Sequence, residues 1–301
     1  VIWWGGRITS PENIRTEIKE EIDRYHAMGI RYIVPISLVD IEDSIDLSVI
    51  KEVSSDMMEA TVRKLDGTPL VLIENFGGDP EATQYAYDIN HPRWLQYVIE
   101  QALAAVDAGA DGISIDDVGG NRQWVENGLG SFNPVSEAGF RLYLKDKYSL
   151  AQLGELGIAD IDSFDYSDYL IERGWTVDSL RLKDYPYRAD FPLHDDFYDF
   201  QTKATAESIS LIIKTAKQYA QEEYSRPLVF TECCEYRDCA AQHIKPYFDI
   251  LTAGGMYGKQ RSFQHMVAYK LGVAVNKSPI VAWLGDTEAL FSHYDIPDLY
   301  A

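Results

Sequence analysis

The sequence predicts an α/β chain, a TIM (β/α)8-type barrel with a large insertion after the fourth strand. Short apolar runs alternate with longer amphipathic stretches, which demands a parallel sheet with right-handed crossovers. There are seven such runs, more than a small doubly wound fold usually uses, and no Gly-x-Gly-x-x-Gly follows the first. Four of the runs end in a carboxylate, where the catalytic face of a barrel lies. The 301 residues, 46% hydrophobic, are ample for one barrel domain over 1–301 with an excursion at about 119–190.

The first strand, Ile2 to Trp4, ends in Gly5-Gly6. Ser10 is the N-cap of the next helix, with Pro11 at its first position. Ile14, Ile18, Ile22 and Tyr25 follow at helical spacing as far as Met28-Gly29. Tyr32 to Ile36 is the second strand, and a helix is expected from about Ser48 to Leu65. The third strand, Pro69 to Ile73, ends in Glu74-Asn75. Pro92 to Ala108 reads as helix and leads into the fourth strand, Gly112 to Asp116. From Gly119 to Asp190 the rhythm breaks into turns, short helices and many aromatics. It resumes with a long helix, Pro192 to Glu223, and a fifth strand ending in Thr231-Glu232. A sixth strand, Phe248 to Leu251, runs into Thr252-Ala253-Gly254-Gly255, and Arg261 to Val275 is helical. The seventh, Ile280 to Leu284, ends in Gly285-Asp286. No eighth strand is evident, and residues after Glu288 are the place for an irregular one.

Composition excludes several functions. A formal net charge of −21, from 48 acidic and 27 basic residues, repels nucleic acid and anionic membrane, which need clustered Lys or Arg. A neutral partner such as a carbohydrate is compatible with that field. No apolar run approaches the roughly 20 residues of a membrane span. Cys233, Cys234 and Cys239 lie too close together for a disulfide framework, and three clustered thiols lack the fourth ligand and open spacing of a zinc site. His91, His194, His243 and His265 show no ligand spacing. No metal and no cofactor is expected. No signal-peptide pattern is present, and the apolar opening Val1-Ile2-Trp3-Trp4 is compatible with a removed leader. An extracellular or periplasmic setting is preferred over a cytoplasmic one, and a homo-oligomer is compatible with the sequence.

Side chains alternate along a strand. Ser114 and Asp116 therefore share one face, and Ile113, Ile115 and Asp117 the other. The isoleucine face suits packing against helices, which turns Asp116 toward the barrel mouth. Asp117 either turns inward from the loop or caps the following turn, a common role for Asp. Glu232 ends the fifth strand, Glu74 with Asn75 the third, and Asp286 the seventh. Together they describe an acidic pocket. Glycoside cleavage needs two carboxyl groups about the scissile bond, roughly 5 Å apart for retention and about 6.5–9.5 Å for inversion. Asp116 and Glu232 are the candidate pair, with Asp117 beside them. Trp4, Trp124 and Trp283 are candidates to stack on sugar rings, against the alternative of core packing. Gly77-Gly78 and Gly119-Gly120 read as flexible mouth loops.

Ser136-Glu137-Ala138-Gly139-Phe140-Arg141-Leu142-Tyr143-Leu144-Lys145-Asp146-Lys147-Tyr148 resembles the segment after strand four in β-galactosidases of glycoside hydrolase family 42. Phe197-Tyr198-Asp199-Phe200, the long helix and Pro227-Leu228-Val229 resemble the approach to strand five in those enzymes. That family carries Asn-Glu at the end of strand four, with Glu as acid/base, so the resemblance implies Asp117 in that role and Asp116 in place of the Asn. Asp111-Gly112-Ile113-Ser114-Ile115-Asp116 is similar to the Asp-Gly-x-x-x-Asp of α-fucosidase-like glycosidases, which implies Asp116 as nucleophile; Phe248 to Ala282 is similar to that group in general pattern. The implied activity is glycoside hydrolysis in an oligo- or polysaccharide. The departure from Asn-Glu motivates the alternative of a catalytically silent carbohydrate-binding barrel. A metal-assisted hydrolase built on Asp116, Asp117 and Glu232 is the third reading, disfavoured by the lack of a His ligand set.

Overall fold

The computed structural model describes residues 2–4, 9–40, 55–73, 83–181, 191–232, 241–253 and 280–282. Four strands make one parallel sheet in the order β1 (Ile2–Trp4), β2 (Arg31–Ser37), β5 (Gly112–Asp116) and β6 (Val229–Glu232). β7 (Leu251–Ala253) and β8 (Ile280–Ala282) pair in parallel, and a parallel bridge from Thr231 to Ile250 joins them to the β6 edge. The architecture is thus mixed α/β, and among the described residues six parallel strands follow one another laterally in the order β1-β2-β5-β6-β7-β8. No helix among the described residues is long and apolar enough to cross a membrane.

The first crossover begins as its residues dictate. Ser10 accepts the N–H of Asn13 at 3.2 Å, and Pro11 opens α1 (Pro11–Asn13). The helix widens into a π-helical stretch, Ile14–Ile18, before α2 (Lys19–Ala27). Buried Ile14, Ile18 and Ile22 step by four residues, which drifts around an α-helix of 3.6 residues per turn. The wider π turn offsets that drift and keeps all three on the sheet. With Tyr32, Val34, Ile36, Ile113, Ile115 and Phe230 they form the main core, closed by Trp94 and Val98 of α4 (Pro92–Asp107) and by Ile209 and Ile213 of α10 (His194–Tyr224).

Three expectations are corrected. The helix expected from Ser48 to Leu65 is, in its described part, only α3 (Ser55–Glu59). Beyond it the chain folds back through Asp66-Gly67, where Gly67 has φ 77 and Asp66 accepts the N–H of Thr68 at 3.0 Å. The expected third strand, β3 (Val71–Ile73), consequently pairs antiparallel with β4 (Gln84–Tyr85), while β2 pairs β5 directly. A local hairpin has captured a strand that alternation alone would place in the barrel. The sixth strand also starts later than expected, because Asp249 accepts the N–H of Phe230 at 2.8 Å and occupies the strand edge with its side chain.

The segment that follows β5 has a core of its own. α5 (Asn121–Glu126), α6 (Pro134–Lys147), α7 (Leu150–Glu155), α8 (Tyr166–Glu172) and α9 (Val177–Leu180) gather around Phe140, Tyr166 and Phe197. Phe197 meets Phe140 and Tyr166 edge-on at 4.9 Å each. Phe197 lies in the first half of α10, and Ile209 and Ile213 in the second. One 31-residue helix therefore serves both cores.

Glu137 is buried in α6 and accepts the N–H of Ser167 at 2.7 Å. Burial, with Asp165 close by, pushes its carboxyl up from 4.5 to about 8. A raised folded-state value means that the folded chain holds a proton the unfolded chain has lost, so stability falls as pH rises from about 4.5 to about 8. Thermal melts should show that decline, and Glu137→Gln should flatten it.

Candidate functional site

Three buried polar residues of the sheet share one face with Asp116. Ser37, Ser114 and Thr231 are buried there, and register pairs Ser37 with Asp116 and Ser114 with Thr231. The opposite face carries the isoleucines of the main core. Asp116 is the last residue of β5 and half-buried. Its carbonyl accepts the N–H of Leu38 at 3.2 Å, which levels the ends of β2 and β5. Its Oδ1 accepts the N–H of Asp117 at 2.9 Å. Asp117 is half-buried with φ 51, and its carbonyl accepts the N–H of Gly120 at 2.8 Å.

The end of β2 contributes a carboxylate that the sequence reading missed. Ser37 Oγ accepts the N–H groups of Val39 at 3.2 Å and Asp40 at 3.3 Å, which turns the chain inward. Trp94 Nε1 donates to the Leu38 carbonyl at 2.6 Å and fixes the turn. Asp40 is buried and accepts Gln84 Nε2 at 2.8 Å. The signal was present: Ile36-Ser37-Leu38-Val39-Asp40 is another apolar run ending in an acid, although the carboxylate falls three residues past the strand.

Glu232 ends β6 and is 2% exposed. It pairs laterally with Ile115, not with Asp116. Lateral partners in a parallel sheet share a face, so Glu232 and Asp116 leave their strands on opposite faces. Trp4 ends β1 opposite Ile33. Trp124 is half-buried and packs on the cluster of Val62, Leu70 and Ala86 as well as on the main core, with its Nε1 buried and without a hydrogen-bond partner among the described residues. Glu74, Asn75, Trp283 and Asp286, the three cysteines, His265, the Gly77-Gly78 pair and the helix expected at 261–275 lie outside the described residues. Among the described residues no group of three or more His, Cys, Asp or Glu is placed to hold a metal ion.

The acidic turn is held from behind by a buried network. Asp88 accepts Asn121 Nδ2 at 2.6 Å, Ser136 Oγ at 2.7 Å and the N–H of Asn90 at 2.9 Å. Gln201 Oε1 accepts Asn90 Nδ2 at 2.8 Å and Asn121 Nδ2 at 3.1 Å. Burial pushes the Asp88 carboxyl up, and its donors pull against that. Gly119 and Gly120, expected as a flexible mouth loop, are buried. Gly120 has φ 50, and a Cβ there would lie 2.6 Å from Thr205 Cγ2, so the turn is pressed onto α10.

Over 89 residues the chain is 33% identical to the alpha-agarases of Thalassotalea agarivorans and Alteromonas agarilytica. That stretch is 30% of this chain and 6% of each relative. In fold the chain is similar to a beta-galactosidase from Bacillus circulans sp. alkalophilus, with TM-score 0.55 and 12% identity over 90% of this chain and 38% of that one. The match thus spans a small part of each alpha-agarase and well under half of the beta-galactosidase. No protein-family profile matches it.

Asp88→Ala would leave three donors facing an empty site. It should destabilise the chain by ~1–3 kcal/mol in urea unfolding, the scale for leaving buried neutral donors without an acceptor.

Proposed function

We propose that this chain is the catalytic barrel of a glycoside hydrolase acting on a galactan of the agar type, with Asp116 as the reacting carboxylate. The observation that carries this reading is the position of Asp116: half-buried, at the C-terminal end of an inner strand, above a polar face of Ser37, Ser114 and Thr231. Parallel α/β barrels carry their chemistry at that end of their strands. The fold likeness to a beta-galactosidase and the partial identity to alpha-agarases support the substrate class.

In this reading Asp116 attacks the anomeric carbon. Glu232 reaches over the end of β6 to protonate the leaving oxygen and then activates water. Asp40 borders the same rim, where a carboxylate binds sugar hydroxyls. Glu74, Asn75, Trp4, Trp124, Trp283 and Asp286 are the proposed substrate contacts, and no cofactor takes part. The barrel closes around 1–301 with the insertion after β5. The field of −21 suits a neutral polysaccharide and not nucleic acid or a membrane surface. Secretion and self-association fit the reading.

A second reading, carbohydrate binding without cleavage, is favoured by one observation: Glu232 is register-paired with Ile115, which sets it on the face away from Asp116.

Release of reducing ends from agarose separates the two. Asp116→Asn should lower turnover by at least ~10³-fold while leaving the melting temperature near that of the wild type, as expected for a group acting in the transition state. Glu232→Gln should do the same if it is the proton donor. Agarose binding with no reducing ends released by the wild type would favour the second reading.

A further inference from the structure

We propose that Asp117 serves the site through its backbone: the left-handed turn it makes fixes the carboxyl plane of Asp116, and Asp117 is a positioning residue. The proposal rests on the reading of Asp116 as the reacting carboxylate.

A residue with a Cβ is disfavoured at positive φ by the clash of Cβ with its own carbonyl, least so for Asp and Asn. Leu193, Ser225 and Ser131 also have positive φ, at 60, 50 and 91; Leu193 and Ser225 bound the two ends of α10, and Ser131 lies in the loop before α6. Asp117, with φ 51, directly follows a strand. An extended residue at 117 would carry the chain onward along β5. The left-handed one reverses it and closes the Gly120 N–H onto the Asp117 carbonyl at 2.8 Å; with the chain beyond it held this way, the 116–117 peptide keeps the Asp117 N–H against Asp116 Oδ1 at 2.9 Å.

The surroundings hold this conformation in place. Gly120 is pressed against Thr205, and Asn121, the next residue, is tied to Asp88. Strain of this kind persists where tertiary contacts over-determine it, and it gathers at functional sites. A carboxylate whose plane is fixed presents the same oxygen to each substrate, and a misplacement of ~1 Å at a reacting group costs on the order of 10²-fold in rate.

Asp117→Gly keeps the left-handed turn and the N–H and removes the carboxylate. Asp117→Asn keeps the turn and the side-chain shape. Asp117→Val resists the turn through its β-branch. kcat and KM for reducing-end release from agarose, with a thermal melt of each variant, test the proposal. Gly and Asn should keep kcat within ~3-fold, and Val should lose ~10²-fold in kcat with little change in KM, the pattern of lost positioning. If Val does not fold, the Gly and Asn variants still decide. A Gly variant as inactive as Asp116→Asn overturns the proposal and gives the Asp117 carboxylate a direct part. A folded Val variant with full kcat also overturns it. A wild type with no activity on agarose overturns the underlying reading as well.

Discussion

The parallel pairing of β2 with β5 is the constraint from which the rest follows. Five lateral pairs, Ile33 with Gly112 through Ser37 with Asp116, set which side chains face the helices and which face the sheet interior. Val34, Ile36, Ile113 and Ile115 are committed to the main core. The polar Ser37, Ser114 and Asp116 are thereby committed to the other face. A slip of one residue would exchange the two sets, burying a carboxylate among isoleucines. The core thus enforces the site: the apolar burial that stabilises the fold also fixes the orientation of Asp116.

A second layer acts on the loops. The hydrogen bond from Trp94 to the Leu38 carbonyl, the Ser37 turn and the Asp88 network each pin a segment leaving a strand end. α10 links these pieces, because its first half packs against the helices that follow β5 and Gln201 and Thr205 meet the loop behind Asp117. Those helices therefore back the segment that leaves β5.

What the sequence disclosed was local. Ser10-Pro11, the Ile14, Ile18 and Ile22 ladder, the long helix before β6 and the run ending in Asp116 are each encoded within a few turns of chain. Capture of β3 by a hairpin was not legible, because it depends on Asp66-Gly67 acting together with a partner strand at 84–85. The Asp88 network was not legible either. Its members at 88, 121, 136 and 201 look singly like solvated loop and helix polar groups, and only the fold brings them together. The offset between Asp116 and Glu232 is one residue of register, which periodicity within each strand cannot reveal.

The central claim is that sugar binds at the C-terminal rim of the parallel sheet, over Asp116. A crystal structure of the Asp116→Asn chain soaked with agarose oligosaccharides tests it most directly. A sugar ring within hydrogen-bond distance of residue 116, between the ends of β2 and β6, is the expected result. An oligosaccharide seated on the insertion, or elsewhere on the surface with the rim empty, would contradict it.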